Sequence, residues 1–403
     1  MDVSKSPRLI LVVAAYYPDS FGGAERQAKI LADALGRQGV DVTLVAPSIS
    51  RTVAPVEATS FGRVMRLHVK DYPNLGGRKF PSFLRWTMFF FRRFARPEYK
   101  DIPIYIFHAR LHALGPALVA TYLGSPLLLK LGGGGESSDF IALDEKRYLY
   151  GRLVKRFLLR CVDRFVANGA QIEQDLAALG VANDKIISFP NGVELPDSIA
   201  VDEAMAGRGG SKFVFAGRII RDKNVALIVD AAEILVRHQK EFSLEFVGDG
   251  PELAALKKRT EIANLEARVA FSGFASDVYP SFMRSDFFVS ASLREGQSNA
   301  LLEAMSAGCI PIVFKASGVE DLVVNGVTGF IVSDTSAMGL ADMMATALGM
   351  PPERRRQMAK AARQHVESSA SVDAVATKTI SLMDSVSLER HDRHALGLLT
   401  VRG

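Results

Sequence analysis

Residues 213–247 read FVFAGRIIRDKNVALIVDAAEILVRHQKEFSLEFV, and this stretch indicates the fold of the second half of the chain. Apolar and aromatic residues fill 213–216, and Gly217 ends that run. Residues 224–238 then carry apolar side chains at the three- and four-residue spacing of a helix. Residues 242–247 return to the strand pattern. A strand, a helix and a strand in this order predict a parallel βαβ unit.

The same alternation extends in both directions along the chain. In the first half it covers 8–15, 24–38, 40–46, 103–108, 111–123 and 126–131. In the second half it continues through 252–264, 268–271, 286–290 and 310–314, and helical patterns cover 335–349, 351–369 and a stretch after Ser371. We therefore predict an α/β protein with two doubly wound parallel sheets and C-terminal helices.

The predicted boundaries follow from composition. Residues 204–211 read AMAGRGGS, a run of small residues typical of a link between domains, so we place the hinge within 197–211. This predicts one domain over 1–200 and a second over 201–375. Residues 376–403 are expected to form a terminal helix and tail, for which a return to the first domain is one alternative.

Composition excludes several classes of protein. The chain has 403 residues, 48% hydrophobic and 23% charged, which is long enough for two cores. Cys161 and Cys309 have no CxxC partner, so neither a disulfide framework nor a zinc site is predicted. The apolar run 9–17 is interpreted as a buried strand rather than a signal peptide. No run reaches the roughly 18 apolar residues that span a bilayer. We expect a cytoplasmic protein, soluble or peripheral on the inner membrane face.

Basic residues concentrate in the first half. Residues 63–164 hold 19 Lys and Arg against 8 Asp and Glu. Residues 80–94 combine aromatic residues with three Arg, and 146–160 form a second basic stretch. This pattern favours contact with an anionic membrane surface. The alternative is two amphipathic helices whose aromatic residues lie in the core. No nucleic-acid-binding pattern is present, so nucleic acid is not expected as a partner.

The stretch 292–305, SLREGQSNALLEAM, follows a predicted strand and opens a helix. Gly296 allows a ligand to approach the backbone, and the unpaired N–H groups after it favour an anion. Glu295 and Glu303 lie on either side of those donors, and their carboxylates can accept hydrogen bonds from sugar hydroxyls. Taken singly, each glutamate has a simpler interpretation as a solvated or dipole-satisfying charge.

A second motif, FAGRIIRDKN at 215–224, leaves a strand through Gly217 and places cations before the next helix. Arg218 and Lys223 are suited to neutralise a departing diphosphate. No Asp-x-Asp pair follows a strand where it would hold a bridging divalent ion, so we expect neither a metal nor another cofactor.

Together these motifs resemble glycosyltransferase family 4. Glu295 and Glu303 match its E-x7-E signature, continued here by Gly308 and Pro311, and Arg218 and Lys223 match its phosphate-binding positions. The segments 190–193, 247–252 and 271–274 and the loop 18–26 resemble further segments of that family. Besides Glu303, the resemblance implies these substrate-binding residues: Gly22, Gly23, Gly217, Gly248, Phe274, Gly296, Gln297, Ser298, Asn299 and Ala300. Gly134, Gly135 and Glu136 are added as substrate-binding candidates from the loop after Leu131.

The sequence departs from the family at one place. Many members carry a sugar-contacting His after the strand that ends here at Leu131, whereas this chain continues GGGGESSD over 132–139. The glycine backbone or Glu136 is one candidate to take over that role. The nearby His108 and His112 are the others, and a structural role is the alternative for each. We include His108 with Arg218, Lys223 and Glu295 as candidate catalytic residues.

The resemblance implies a GT-B fold, with two Rossmann-like domains facing a central cleft, and a retaining transferase. The expected donor is a nucleotide-diphosphate hexose, with a UDP-sugar favoured over GDP-mannose. The expected acceptor is a lipid-linked sugar or a polysaccharide of a surface glycan. The alternatives are a GT-B sugar-nucleotide epimerase and a non-catalytic sugar-nucleotide-binding or scaffold protein. A Rossmann dehydrogenase is disfavoured, because the first loop lacks GxGxxG.

Overall fold

The computed structural model describes residues 6–20, 22–72, 80–135, 138–145, 150–292, 297–316 and 318–395, the side chains to 392. The chain forms two compact units. The first comprises Met1–Gly192 together with Val372–Gly403, and the second comprises Val193–Ser371. The change from the first unit to the second therefore lies eight residues before the predicted boundary at 200.

The first unit is built on an eight-stranded sheet in the order β3-β4-β2-β1-β5-β6-β7-β8. Its neighbours pair in parallel, except that β3 and β4 are antiparallel. The strands are β1 Arg8–Val12, β2 Asp41–Ser48, β3 Val56–Thr59, β4 Gly62–His68, β5 Ile104–Phe107, β6 Leu127–Lys130, β7 Arg164–Ala167 and β8 Ile186–Ser188.

Helices cover both faces of this sheet. They are α1 Gly23–Arg37, α2 Phe80–Phe94, α3 Leu114–Leu123, α4 Asp139–Asp144, α5 Tyr150–Cys161, α6 Ala170–Ala178 and, from the end of the chain, α14 Val372–Ala395. One core lies between the sheet and α2, α3 and α5, and the other lies under α1 and α14. Two burial faces explain why the central strands are apolar along their whole length.

Helix α2 divides its aromatic residues between core and surface. Trp86, Phe90 and Phe94 are fully buried, and the Trp86 indole donates a 2.8 Å hydrogen bond to the carbonyl of His112. On the other side of the helix, Leu84, Met88 and Phe91 are 47%, 43% and 39% exposed, while Phe83 and Phe89 are partly buried against the core. Three aromatic residues of α2, spaced four residues apart, therefore lie in the core, as the alternative interpretation predicts for them. Contact of the opposite face with a membrane stays a prediction.

The second unit is a six-stranded, wholly parallel sheet in the order β11-β10-β9-β12-β13-β14. Its strands are β9 Lys212–Ala216, β10 Ser243–Val247, β11 Val269–Gly273, β12 Phe287–Ser290, β13 Ile310–Phe314 and β14 Phe330–Val332. Its helices are α7 Ser198–Ala206, α8 Val225–Arg237, α9 Leu253–Ile262, α10 Tyr279–Arg284, α11 Asn299–Ser306, α12 Ala337–Leu348 and α13 Pro352–Ala370.

Strand order reverses once in each sheet, between β1 and β5 in the first and between β9 and β12 in the second. In doubly wound sheets, ligands bind outside the carboxyl ends of the strands at this switch point. The loops that follow these four strands are therefore the places to look for a site.

The segment 197–211, predicted as the hinge, is part of the second unit. Asp197 caps α7 by accepting from the Ala200 nitrogen, and Val201 and Met205 are buried in the core. The Arg208 guanidinium donates to four carbonyls, those of Phe282, Met283, Ala307 and Gly308. The small residues thus allow close packing rather than flexibility.

Among the described residues, no helix is both long enough and apolar enough to cross a bilayer.

Candidate active site

Three loops interlock at the carboxyl edge of the second sheet. The Gly217 nitrogen, after β9, donates to the Val247 carbonyl at 3.0 Å. The Ile219 nitrogen donates to the Asp249 carbonyl at 2.9 Å, and the Gly248 nitrogen donates to the Gly273 carbonyl at 2.7 Å. Gly217 and Gly248, both predicted substrate-binding residues, therefore lie in one hydrogen-bonded layer of backbone.

The predicted cations follow directly on this layer. Arg218 is exposed, and among the described residues it has no ion-pair or side-chain hydrogen-bond partner. Lys223 is partly buried in a short 3-10 helix, Arg221–Lys223. Asn224 then turns the chain through a left-handed conformation (φ 50°) into α8. A cation at a switch point is placed to bind an anionic ligand.

The loop after β12 supplies the other half of the switch point. Glu295 and Gly296 lie outside the described residues. Ser298 caps α11 by accepting a 3.3 Å hydrogen bond from the Leu301 nitrogen, so the amides of Asn299 and Ala300 lie in the first turn. Gln297, which precedes the cap, is 8% exposed. A capped helix start beside β9 is an anion-binding geometry.

Glu303 is only 6% exposed, one turn into α11. The simpler interpretation of this glutamate as a solvated helical residue is therefore wrong. Carboxylates are seldom buried away from water because desolvation is costly. This burial singles out Glu303 from the other acidic residues of the unit's helices.

Phe274 follows β11, and 69% of it is exposed. It lies after Gly273, whose carbonyl accepts from Gly248. The segment 271–274, predicted from the family resemblance to include the substrate-binding residue Phe274, thus belongs to the same layer of loops. A single exposed aromatic ring next to such a layer offers a flat apolar surface.

In the first unit, Gly22 is the N-cap of α1, and Gly23 is the first residue of that helix. Ser20 donates a 2.7 Å hydrogen bond to Glu25, and that carboxylate packs against Gly22 so closely that a Cβ there would lie 2.3 Å from it. The predicted loop therefore lies at the carboxyl end of β1, at the first sheet's switch point.

The other predicted residues of the first unit follow β5 and β6. His108 comes directly after β5, and its ring contacts Asp139 at 3.2 Å. The Gly135 nitrogen donates to Asp175 at 2.7 Å, and Gly134 packs on Gln171. Glu136 lies outside the described residues. His112 is fully buried and burial lowers its pKa to about 3, which favours the structural interpretation of that residue.

Two residues at this edge were missed by the sequence analysis as functional candidates. Asp139 is 1% exposed, and the sequence signal was an acidic residue opening a helix after the glycine run. Lys130 is 6% exposed at the end of β6, and burial lowers its pKa to about 7. The signal for Lys130 was a single charge inside the apolar run PLLLKL.

Comparison with known proteins agrees with this architecture. Residues 21–196 match the family model described as Glycosyltransferase Family 4, and residues 206–365 match that of Glycosyl transferases group 1. The two matches together span well over half of the chain.

An Escherichia coli relative, UDP-Gal:alpha-D-GlcNAc-diphosphoundecaprenol alpha-1,3-galactosyltransferase, is 30% identical over 44% of this chain and 49% of its own length. The chain spans about half or less of the length of the first curated relatives that it matches.

Solved structures show the same fold at low identity. Sucrose-phosphate synthase from Thermosynechococcus elongatus has a TM-score of 0.76 at 18% identity, covering 94% of this chain and 99% of its own. HepE from Anabaena, in complex with UDP and glucose, has a TM-score of 0.70 at 17% identity, covering 93% and 99%. From the two family matches, the two parallel-sheet units and the glycosyltransferase relatives, we conclude that the chain is a GT-B glycosyltransferase of the family 4 type.

Proposed function

We propose that the chain is a retaining hexosyltransferase whose second unit binds a nucleotide-diphosphate sugar and whose first unit binds the acceptor. The observation that supports it most is the layer of interlocked glycine loops in the second unit, with Arg218 at its edge and the capped start of α11 on the neighbouring strand. Backbone amides, a cation and a helix N-terminus each favour the binding of an anion, and together they suit a diphosphate.

The site residues have complementary roles in this proposal. Arg218 and Lys223 stabilise the charge that grows on the diphosphate as the bond from the sugar C1 to the phosphate oxygen breaks. The new bond forms between C1 and the acceptor oxygen, and the acceptor's proton goes to the departing phosphate oxygen. Glu303, buried below the helix start, accepts hydrogen bonds from donor hydroxyls. Orientation and electrostatics then supply the rate enhancement.

A UDP-sugar is the favoured donor, and GDP-mannose is the alternative. The E. coli relative is named for transfer from UDP-Gal to a diphosphoundecaprenol-linked sugar, and the HepE structure contains UDP. A lipid-linked or polysaccharide acceptor of surface glycan synthesis fits these relatives and the basic first unit.

We also propose contact with an anionic membrane on the inner face. Helix α2 exposes Leu84, Met88 and Phe91 next to Arg85 and Arg92, and α5 exposes basic residues of the second stretch. Apolar side chains flanked by arginines suit the boundary between headgroups and acyl chains. Charge complementarity selects an anionic lipid surface as the occupant of the α2 face.

Product analysis tests the proposed reaction. Purified protein is incubated with UDP-hexoses and a lipid-linked acceptor, and the glycosidic product and its anomeric configuration are determined. We expect a retained configuration, and loss of at least about tenfold in kcat/KM for Glu303→Gln, because one charge-assisted hydrogen bond is lost. Glu266→Gln, at an exposed position, serves as the control. A donor sugar that is epimerised rather than transferred supports the alternative of a sugar-nucleotide epimerase. Binding of the UDP-hexose without any turnover supports the alternative of a non-catalytic binding or scaffold protein.

A further inference from the structure

His108 occupies the switch point of the first sheet. It is the residue directly after β5, and its backbone takes a left-handed conformation (φ 72°) that few residues other than glycine adopt. Its nitrogen donates a 2.7 Å hydrogen bond to the Lys130 carbonyl. A strained residue at the carboxyl end of a central strand is more typical of a functional position than of a purely structural one.

Gly132 makes room for the His108 ring. A Cβ built on Gly132 would lie 1.8 Å from the ring's Cε1 and 2.0 Å from Nδ1. The imidazole of His108 therefore lies in the space that a side chain on the loop after β6 would need. The loop after β6 has no histidine of its own, but the ring of His108, from the end of the neighbouring strand β5, lies against it.

Asp139 holds this ring in one orientation. Its carboxylate accepts from Nδ1 of His108 at 3.2 Å, from the Gly132 nitrogen at 2.9 Å, from the Ala109 nitrogen at 3.3 Å and from Arg110 Nε at 3.1 Å. Burial tends to raise the pKa of Asp139, but the His108 ring, the Arg110 cation and the Gly132 amide outweigh it and hold the pKa well below its usual range. The carboxylate is therefore ionised.

An ionised carboxylate only accepts hydrogen bonds, so the contact with Asp139 requires the proton of a neutral His108 ring to be on Nδ1. This leaves the lone pair on Nε2. Among the described residues, Nε2 has no hydrogen-bond partner, and the side chain is 22% exposed. The ring thus presents a fixed acceptor at the surface of the switch point.

We propose that His108 contacts the sugar substrate, its Nε2 accepting a hydrogen bond from a hydroxyl group, and that Asp139 is the positioning residue that fixes the ring and its tautomer. This inference rests on the proposed function and adds to it the group that takes the place of the missing loop histidine. Arg110 and the fully buried His112 also face the cluster.

Asp139→Asn distinguishes positioning from packing. The amides of Ala109 and Gly132 both donate to Oδ2, so they retain the asparagine oxygen at that position. The asparagine NH₂ then replaces Oδ1, which lies 3.3 Å from Nδ1 of His108, and donates to Nδ1 instead of accepting from it. This favours the ring proton on Nε2, and the contact of Oδ1 with Arg110 Nε is lost. An otherwise intact fold with the wrong tautomer is the expected result, as in other Asp–His pairs.

The experiment compares the wild type with His108→Asn, which keeps a group near Nδ1 but has none at the Nε2 position, and with Asp139→Asn. We measure kcat/KM for sugar transfer, UDP affinity by calorimetry and the tautomer of His108 by ¹⁵N NMR of the full chain. We expect both variants to lose about tenfold or more in kcat/KM with unchanged UDP affinity, because a hydrogen bond to the sugar is lost. The ring proton should be on Nδ1 in the wild type and on Nε2 in Asp139→Asn.

If His108→Asn transfers sugar with the kcat/KM of the wild type, the role proposed for His108 is wrong. If Asp139→Asn keeps both the ring tautomer and the kcat/KM of the wild type, the role proposed for Asp139 is wrong. If the wild type itself transfers no sugar, the proposed function fails and this inference fails with it. If a variant unfolds, His108→Gln, which keeps a polar group at the Nε2 position, is measured in its place. A kcat/KM above half of the wild-type value supports the contact with the sugar, and a kcat/KM as low as that expected for His108→Asn contradicts it.

Discussion

Gly248 packs against the carbonyl oxygen of Gly217 so closely that a Cβ on Gly248 would lie 1.9 Å from that oxygen. Gly248 also has a φ of 144°, which residues with side chains rarely adopt. This contact brings the loops after β9 and β10 together, and the proposed diphosphate site lies on the layer they form.

We therefore expect Gly248→Ala to reduce the free energy of unfolding by about 2–3 kcal/mol and to weaken UDP binding, because the loop after β9 must move. Gly209→Ala is the matched control, since a Cβ at Gly209 meets no atom within 4 Å. Denaturant unfolding and calorimetry measure both effects. A Gly248→Ala protein as stable as the control contradicts the close packing of Gly248 on the Gly217 carbonyl.

Transfer should persist in excess EDTA, because Arg218, Lys223 and the α11 amides are proposed to neutralise the diphosphate without a divalent ion. Initial rates with and without chelator provide the measurement. Loss of turnover in EDTA that is restored by Mg²⁺ or Mn²⁺ would refute the metal-free mechanism.

Lys130 predicts a pH dependence of stability. Burial lowers its pKa to about 7, against 10.5 for the free side chain, so between these values the unfolded state binds more protons than the folded state. The contribution of Lys130 to stability therefore rises with pH, by about 1.4 kcal/mol per unit. Lys130→Met should be more stable than the wild type at pH 6, and this difference should shrink by pH 10. Lys100→Met, at an exposed position, should show no such trend.

The exposed face of α2 predicts binding to anionic vesicles. Replacing Leu84 and Met88 by Glu should reduce flotation with phosphatidylglycerol vesicles several-fold and leave the melting temperature nearly unchanged, because both side chains are exposed. Tyr122→Glu, at a position 71% exposed on α3, is the control. Equal flotation of the double variant and the wild type would exclude this face as the membrane contact. Substituting the buried Phe90 would instead test folding.

Much of the fold follows from local patterns. The unit β9-α8-β10 was predicted from 213–247, because a strand, a glycine turn and a long helix each leave a strong periodic signal. The segment 197–211 was misinterpreted as a hinge, since its composition does not reveal that Arg208 binds four carbonyls more than 70 residues away in sequence.

The site divides in the same way. The positions of Gly217, Gly248 and Ser298 follow from strand–loop–helix order. The pairing of His108 with Asp139, 31 residues apart, depends on β5 and β6 being neighbours and on Gly132 lacking a side chain. Tertiary contacts of this kind leave no periodic signal, so the sequence identified the histidine but not its partner.

Calorimetric titration with UDP and GDP tests most directly whether the second unit binds a nucleoside diphosphate beside Arg218. We predict that the wild type binds at least one of them, that Arg218→Ala weakens this binding by about 10- to 100-fold, as expected for a charge-assisted hydrogen bond, and that Arg237→Ala, at the far end of α8, leaves it unchanged. Binding of neither nucleotide, or equal affinity in the wild type and Arg218→Ala, would contradict a nucleoside diphosphate site beside Arg218.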